Sequence, residues 1–298
     1  MIARLRAALE RIGLPAWFVV IDLLWIVKPD AFAIDARHYQ RAATTWLAGG
    51  DPWAVTEAGI PYASGPHTLL FYAPTSILPL SMAVGLWMIL GIVASAWLVR
   101  RLRLPPWWLL FPPLLHGMWN GNPQSVALAL LVAGGPIAVA LAVGLKLYAG
   151  VPLVGRWRDL SIAAIVLVVT LPIVPWQLYI DQGFGIGSHL QTAWNGSAWR
   201  LPILIPFVLA GLWVLRGRGA EWLAVPALFP ATQFYYVAMA LPAIGERRLV
   251  AAALALPMVL MAPIVVMALA LHQAWYARRP GATGLRWLRL PRGATRQG

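Results

Sequence analysis

Asp35, Arg37, His38, Tyr39 and Arg41 fall within one short stretch of the sequence. In a helix, Asp35 and Tyr39 would share one face, and Arg37 and Arg41 another, because residues four apart are neighbours. A carboxylate held beside a membrane surface with cations next to it suits a general base acting on a phosphate-bearing substrate. The plainer alternative is an acid in a first helical turn, favoured there by the helix dipole. A second acid, Asp22, interrupts an apolar run. Burying an acid in a bilayer costs roughly 2.5–3.5 kcal/mol on insertion scales. Asp22 is therefore expected to be paired, with Lys146 as the candidate base, or functional. Lys146 and Lys28 are the only lysines in the chain. Lys146 stands late in an apolar run, where it either snorkels to an interface or meets a lipid phosphate. The histidines His38, His67, His116, His189 and His272 are scattered and show no metal-ligand spacing. No metal site is predicted; no cofactor is required, and a divalent metal is left open. The absence of cysteine removes disulfides, thiolate metal sites and cysteine nucleophiles. The sequence has no Gly-rich phosphate loop, nucleophile elbow or zinc-protease signature.

The elements that must position these residues are set by composition. Hydrophobic residues make up 60% of the 298 residues and charged residues 11%. Ordinary soluble domains reach roughly 45–50% apolar even with glycine counted, and about 25% charged. A soluble globule has too little interior for this much hydrocarbon, and disorder requires low hydrophobicity. The expected fold is all-α, a polytopic membrane helix bundle of about nine to eleven spans at roughly 20 residues each. The net charge of +13 suggests nucleic acid at first sight. The arginines sit in short clusters between apolar runs, however, as cytoplasmic loops do. They lack the contiguous basic face of a nucleic-acid binder, so membrane lipids and not nucleic acid are the expected partners.

The chain reads as a single membrane domain over residues 1–277, followed by a basic, acid-free tail over 278–298 expected to be disordered. Arg4, Arg6 and Arg11 precede an apolar run over 14–27. With Ala31-Phe32-Ala33 this imitates a secretory signal peptide; Asp22 and the membrane character of the later chain favour an uncleaved first span with a cytoplasmic N-terminus. Residues 29–66 form a first external loop holding Asp30, Asp35, Asp51 and Glu57, four of the ten acids. Within it, Ile34 to Ala48 reads as an interfacial helix on the outer leaflet, stopped by Gly49-Gly50; Asp51-Pro52 then turns the chain. Further spans are predicted at 67–80, 82–99, 107–119, 122–134, 136–154, 160–178, 201–215, 221–245 (as one span or two short ones) and 249–271. Reading 67–99 as two spans leaves Arg100, Arg101 and Arg103 outside, against the positive-inside rule. That reading is preferred because it places the loop 29–66 and a second polar loop, 179–200, on one outer face. The 17 tryptophans are interfacial anchors by default; those in the two loops could also stack on sugar rings.

The order of these features resembles the GT-C superfamily of integral-membrane glycosyltransferases, and within it glycosyltransferase family 87, the polyprenyl-phosphate-mannose-dependent mannosyltransferases. Asp35-Ala-Arg-His-Tyr39-Gln-Arg-Ala42-Ala43 followed by Gly49-Gly50-Asp51-Pro52 is similar to the family pattern after the first span. Phe71-Tyr72-Ala73-Pro74 with Leu78-Pro79-Leu80 resembles its Tyr-Pro-Pro segment, and Asn120-Gly121-Asn122-Pro123-Gln124 its Gly-Gln-x-Asn turn. Gly144-Leu145-Lys146 with Pro152 resembles its Lys-Pro element, and Trp194-Asn195-Gly196-Ser197 more loosely an Asn-Gln-Ser patch. The likeness covers most of residues 14–245. The chain departs from the pattern at Ala73, at Leu147 after the lysine, and in 229–236, which lacks the histidine often found there.

The resemblance implies an inverting transfer of a hexose, mannose first, from a polyprenyl-phosphate sugar donor to a lipid or glycan acceptor. The site would lie on the outer face of a bacterial plasma membrane. Asp35 would be the catalytic base. Lys146 would bind the donor phosphate together with Arg37, His38 or Arg200. Tyr39, Tyr72, Asn120, Asn122, Gln124 and Asn195 would line the substrate cavity. Two alternatives use the same residues differently. A carrier or flippase for a lipid-linked sugar would need no bond cleavage and would use Asp22 and Lys146 as a gating pair. A catalytically degenerate scaffold would account for the departures.

Overall fold

A computed structural model describes residues 13–183, 185, 195–245 and 247–277. The arginines before residue 13, Trp194, His189, the middle of the loop 179–200 and the tail from 278 lie outside the described residues. The chain is mostly helical, as composition requires.

The helices are α1 Gly13–Ile26, whose last turn Asp22–Ile26 is a π-helix, α2 Ile34–Leu47, α3 Leu80–Arg101, α4 Pro112–Asn120 and α5 Gln124–Ala133. There follow α6 Pro136–Leu145, α7 Trp157–Thr170, α8 Ile205–Val214 and α9 Ala220–Leu228. The last three are α10 Phe234–Ile244, whose first part is 3-10, α11 Arg248–Leu254 and α12 Met261–Ala277. A two-residue antiparallel ribbon pairs β1 Thr56–Glu57 with β2 Ile60–Pro61.

Among the described residues, only α3 is long and apolar enough to cross a membrane by itself. Its apolar side chains Met82, Leu86, Ile89, Val93 and Trp97 recur every three or four residues and are exposed together, as on a face turned to an apolar surrounding. The other apolar helices have 10–17 residues. A ten-residue helix rises about 15 Å, half of a roughly 30 Å hydrocarbon layer. Several predicted spans are thereby corrected. The stretch 67–80 is no helix of one piece: a 3-10 turn Pro66–Thr68, one turn Leu69–Tyr72 and a 3-10 stretch Ala73–Ile77 follow one another. Pro66, Pro74 and Pro79 supply no N–H donor for a continuous helix. The run 136–154 breaks at Lys146, whose extended backbone (φ −146°, ψ 112°) ends α6 and starts a 3-10 segment Leu147–Leu153 holding Pro152. The run 249–271 divides in two around Pro257, whereas 221–245 takes the two-piece form allowed from its sequence, divided around Pro230.

The core is assembled by α3 packing on α5 and α2, α5 on α6, and α6 on α7. A second half joins α8 to α12 and α9 to α10, and α10 closes against α4. Trp108, Phe18, Phe111, Leu114 and Leu128 are buried at its centre. The helix expected to lie on the outer leaflet is present, as α2, but one whole face of it (Ala36, His38, Tyr39, Gln40, Ala42 and Ala43) is buried in the protein. The expected stop also forms: Gly49 takes φ +78°, which glycine tolerates without strain. The Asp51 side chain accepts from the Trp53 N–H to cap the next turn.

Candidate functional site

The entry to α2 is pinned to the end of α4. The Ala33 N–H donates to the Trp119 carbonyl at 2.8 Å, and Trp119 Nε1 donates to the Lys28 carbonyl at 2.8 Å. Directly after Trp119 comes the turn Asn120-Gly121-Asn122-Pro123. Asn122 Oδ1 accepts from the Gln124 N–H at 3.1 Å, which starts α5, and Asn122 Nδ2 donates to Asp35 Oδ2 at 2.8 Å. One side chain thus fixes the turn and orients the carboxylate. Gly121 takes φ +71° and packs so closely on α2 and α3 that a β-carbon there would stand 2.6 Å from Ala36 Cβ and 2.7 Å from Met88 Sδ. Gly121→Ala adds backbone strain to overpacking. It is expected to destabilise the protein by roughly 2 kcal/mol or more, read as a lowered melting temperature in detergent.

Asp35 lies deep yet keeps part of its surface accessible. Burial raises its pKa above the usual 3.8, against the Asn122 hydrogen bond and the charges of Lys146 and His38, which lower it. One turn further along α2, the Tyr39 hydroxyl shares a hydrogen bond with Ser64 Oγ at 2.5 Å and accepts one from Lys146 Nζ. Lys146 does not snorkel. It is 4% exposed, and its ammonium lies 4.6 Å from the centroid of the Tyr39 ring and 5.9 Å from that of Tyr148, distances at which ring quadrupoles attract a cation. It stands at the break after α6, where its extended backbone separates two helical segments. Tyr39 stacks on Tyr72, which stacks on Trp87, while Tyr148 meets Tyr236 and Tyr236 meets Tyr235. The hydroxyls of Tyr72 and Tyr148 have no hydrogen-bond partner, nor do Asn120 Oδ1 and the Gln124 amide. Such groups cost free energy when left unpaired; the hydroxyls of Tyr72 and Tyr148 feel the charge of Asp35, and there they suit a ligand rich in hydroxyls.

The structure therefore brings together Asp35, Tyr39, Tyr72, Asn122 and Lys146, with Asn120 and Gln124 on the same turn. The other residues named from the sequence go elsewhere. Arg37 donates to the Phe32 carbonyl at 2.8 Å and, with Arg41, faces Glu57 of β1, at 3.7 Å and 2.5 Å respectively. The shared face of Arg37 and Arg41 thus serves to hold the β-ribbon on α2. His38 Nε2 bonds the Val55 carbonyl at 3.1 Å; burial lowers its pKa despite that bond and the nearby Asp35 and Glu57. Asn195 Oδ1 accepts from the N–H and hydroxyl of Ser197, whose own hydroxyl oxygen caps the turn Ala198–Arg200. Arg200 is exposed at the end of that turn and is not among the groups acting on Asp35. Asp22 and Lys146 form no pair: Lys146 donates to Tyr39, and both Asp22 carboxylate oxygens are buried without a hydrogen-bond partner. No group of three or more potential metal ligands occurs among the described residues. Sequence reasoning missed Tyr148, Tyr235 and Tyr236. The tyrosine pair in 234–236 was a visible signal, being polar-tipped aromatics at the head of the apolar run 237–244.

No family model, no curated protein and no solved structure matches the chain.

Proposed function

We propose that this chain is a membrane-embedded inverting glycosyltransferase. It moves a hexose, mannose first, from a polyprenyl-phosphate donor to a lipid or glycan acceptor at the outer face of a plasma membrane. The observation that carries the reading is that the Asp35 carboxylate and the buried Lys146 ammonium act on one another's charge, with Lys146 bonded to Tyr39 one turn along α2 from Asp35. The exposed apolar faces of α3 and α7 support the membrane setting; the short helices would span by stacking end to end within the protein, where broken helices are tolerated.

In this reaction the Asp35 carboxylate takes the proton of the acceptor hydroxyl. The oxygen forms its bond to the anomeric carbon from the face opposite the phosphate. The anomeric C–O bond breaks, and its electron pair leaves on the phosphate oxygen. Lys146 donates hydrogen bonds to that developing charge, in a site shielded from water where such donors count most. Tyr39 holds the ammonium in place. The unpaired hydroxyls and amides of Tyr72, Tyr148, Asn120 and Gln124 receive the sugar hydroxyls. A carrier is the second reading, favoured by the unpartnered Asp22, but the expected gating partner is engaged elsewhere.

The test is transfer from labelled polyprenyl-phosphate-mannose to glycolipid acceptors, with the anomeric configuration of the product read by NMR and the rate followed against pH. Inversion is expected. Only ionised Asp35 is a base, and burial raises its pKa. The rate should therefore rise with pH and reach half its plateau above the ordinary carboxylate value of about 3.9. A product with retained configuration, or an acid limb at the ordinary carboxylate value, contradicts the assignment.

A further inference from the structure

Three arginine clusters that are distant in the sequence meet at one end of the protein. Arg100, Arg101 and Arg103 end α3, Arg216 and Arg218 lie between α8 and α9, and Arg247 and Arg248 open α11. Gly245 sits so close to Leu104 that a β-carbon there would stand 2.6 Å from its Cδ2, which joins the first cluster to the third. Arg218 lies near enough to Arg247 for their charges to act on one another, which joins the second to the third. Arg100, Arg101, Arg103, Arg216, Arg218 and Arg248 are exposed. Among the described residues no carboxylate forms an ion pair with Arg100, Arg101, Arg103, Arg216 or Arg218. Glu221, three residues after Arg218, stands in the first turn of α9 and pairs with none of them.

Gathering like charges has a cost, and helix ends offset only part of it. The dipole of α3 favours Arg100 and Arg101 in its last turn. Dipoles disfavour Arg218, just before the start of α9, and Arg248, in the first turn of α11. Arg103 adds a backbone cost, since it takes φ +55° in the turn that ends α3, where glycine is the usual residue. A counter-charge from outside the chain would offset these costs, and two features indicate its kind. Every cation of the patch is an arginine, whose planar fork matches the oxygens of a phosphate. The patch is also edged with exposed apolar side chains. Trp97 lies one turn before Arg100 and Arg101, the Arg216 guanidinium stands 4.3 Å from the centroid of the Trp213 ring, and Leu249 follows Arg248. Tryptophan beside arginine at the end of an apolar face marks a membrane–water interface.

The candidate site lies towards the other end of α3. Gln40 of α2 donates to Ser76 Oγ at 2.9 Å just before α3 begins, and Trp87 of α3 stacks on Tyr72. From Trp87 to Arg100 the helix rises about 20 Å.

We infer that the arginine patch is the surface through which the protein binds the phosphate headgroups of anionic phospholipids, at the membrane face opposite its site. The membrane rests on the proposed function; the patch rests on the gathered arginines. The sequence reading that left Arg100, Arg101 and Arg103 on the same outer face as the loop 29–66 is replaced accordingly, because α3 crosses once and separates them.

The chain has no cysteine, so single cysteines report without background. Leu249→Cys, at the patch, and Ile77→Cys, 88% exposed just before α3, each carry a fluorophore in the full chain reconstituted in phosphatidylcholine vesicles. A tenth of the lipid is then replaced by brominated phosphatidylglycerol or by brominated phosphatidylcholine, and the quenching is compared. At position 249 phosphatidylglycerol should be favoured about fivefold, the effect of one arginine near an anionic surface. The preference should fade in 1 M salt, which screens charges beyond about 3 Å. At position 77 the two lipids should quench alike. Arg103→Gly combined with Arg218→Gln should bring the preference at 249 close to one. Glycine relieves the backbone at 103, so the melting temperature of Arg103→Gly should be no lower than before. Equal quenching by the two lipids at 249 in the protein with all its arginines, or an equal preference at 77, overturns the inference; these comparisons decide even if an arginine variant fails to fold. Displacement of the anionic lipid from 249 by a duplex oligonucleotide at equal phosphate concentration assigns the patch to nucleic acid and also overturns it. Quenching needs no turnover, so transfer without a lipid preference contradicts the patch alone, and a preference without transfer contradicts the enzyme alone.

Discussion

Asp35→Asn lowers the transfer rate about 10²–10⁴-fold, the usual contribution of a positioned general base, and leaves the protein at least as stable as before. The two effects have one cause. The folded state raises the Asp35 pKa by burial. A carboxylate whose folded pKa lies above its unfolded value binds its proton more tightly in the folded state, so ionising it costs stability as pH rises through that window. Above the folded pKa the whole cost is present, and asparagine does not incur it. The amide keeps the shape of the carboxylate, and its oxygen still accepts from Asn122 Nδ2. The expected pattern at neutral pH is a melting temperature equal to or above that of the unaltered protein, beside a large loss of rate. A comparable loss of both would mean that Asp35 is a structural acid at a helix start, the plainer alternative for a carboxylate in a first turn.

Lys146→Met is the second large effect. Methionine fills similar space among the tyrosines and removes the charge. If Lys146 stabilises the departing phosphate, the rate should fall about 10²–10³-fold, the loss usual for removing one donor at a site of developing charge. The loss should also depend on the leaving group. A donor whose phosphate carries an electron-withdrawing substituent needs less help, so the ratio between the unaltered protein and the variant should shrink with that donor. A ratio that is the same for both donors would make Lys146 a binding or packing residue with no part in bond cleavage.

How much of this was legible in the sequence depended on how local each feature is. The helix after the first apolar run, its double-glycine stop and the Asp51-Pro52 turn are set by residues adjacent in the chain, and they form as expected. The short span read at 67–80 and the span read at 136–154 are each divided, because apolar composition looks the same whether or not prolines break the helix. Pro66, Pro74 and Pro79 leave three short pieces where one span was expected, and the break at Lys146 leaves α6 at ten residues. Lys146 is buried at that same break, so the residue that ends the span also lies in the site. Arg37 and His38 had the right chemistry for a phosphate and the right neighbourhood. Their partners, Glu57 and the Val55 carbonyl, come from a ribbon that no local pattern announced. Tyr148, Tyr235 and Tyr236 come from distant parts of the chain and surround Asp35 and Lys146 only after the two halves close. Asn195 shows the converse: a side-chain amide that looked fit for a sugar is used to hold Ser197, which caps a turn.

The central claim is that this chain breaks and forms a glycosidic bond with Asp35 as base. The most direct measurement incubates the purified protein with radiolabelled polyprenyl-phosphate-mannose and a set of glycolipid acceptors, with Asp35→Asn beside it and translocation of the labelled donor across vesicles followed in parallel. The expected result is label transferred to an acceptor by the unaltered protein and near-complete loss in Asp35→Asn. Transfer that survives the substitution unchanged, or movement of the intact donor across the vesicle with no transfer to any acceptor, contradicts it.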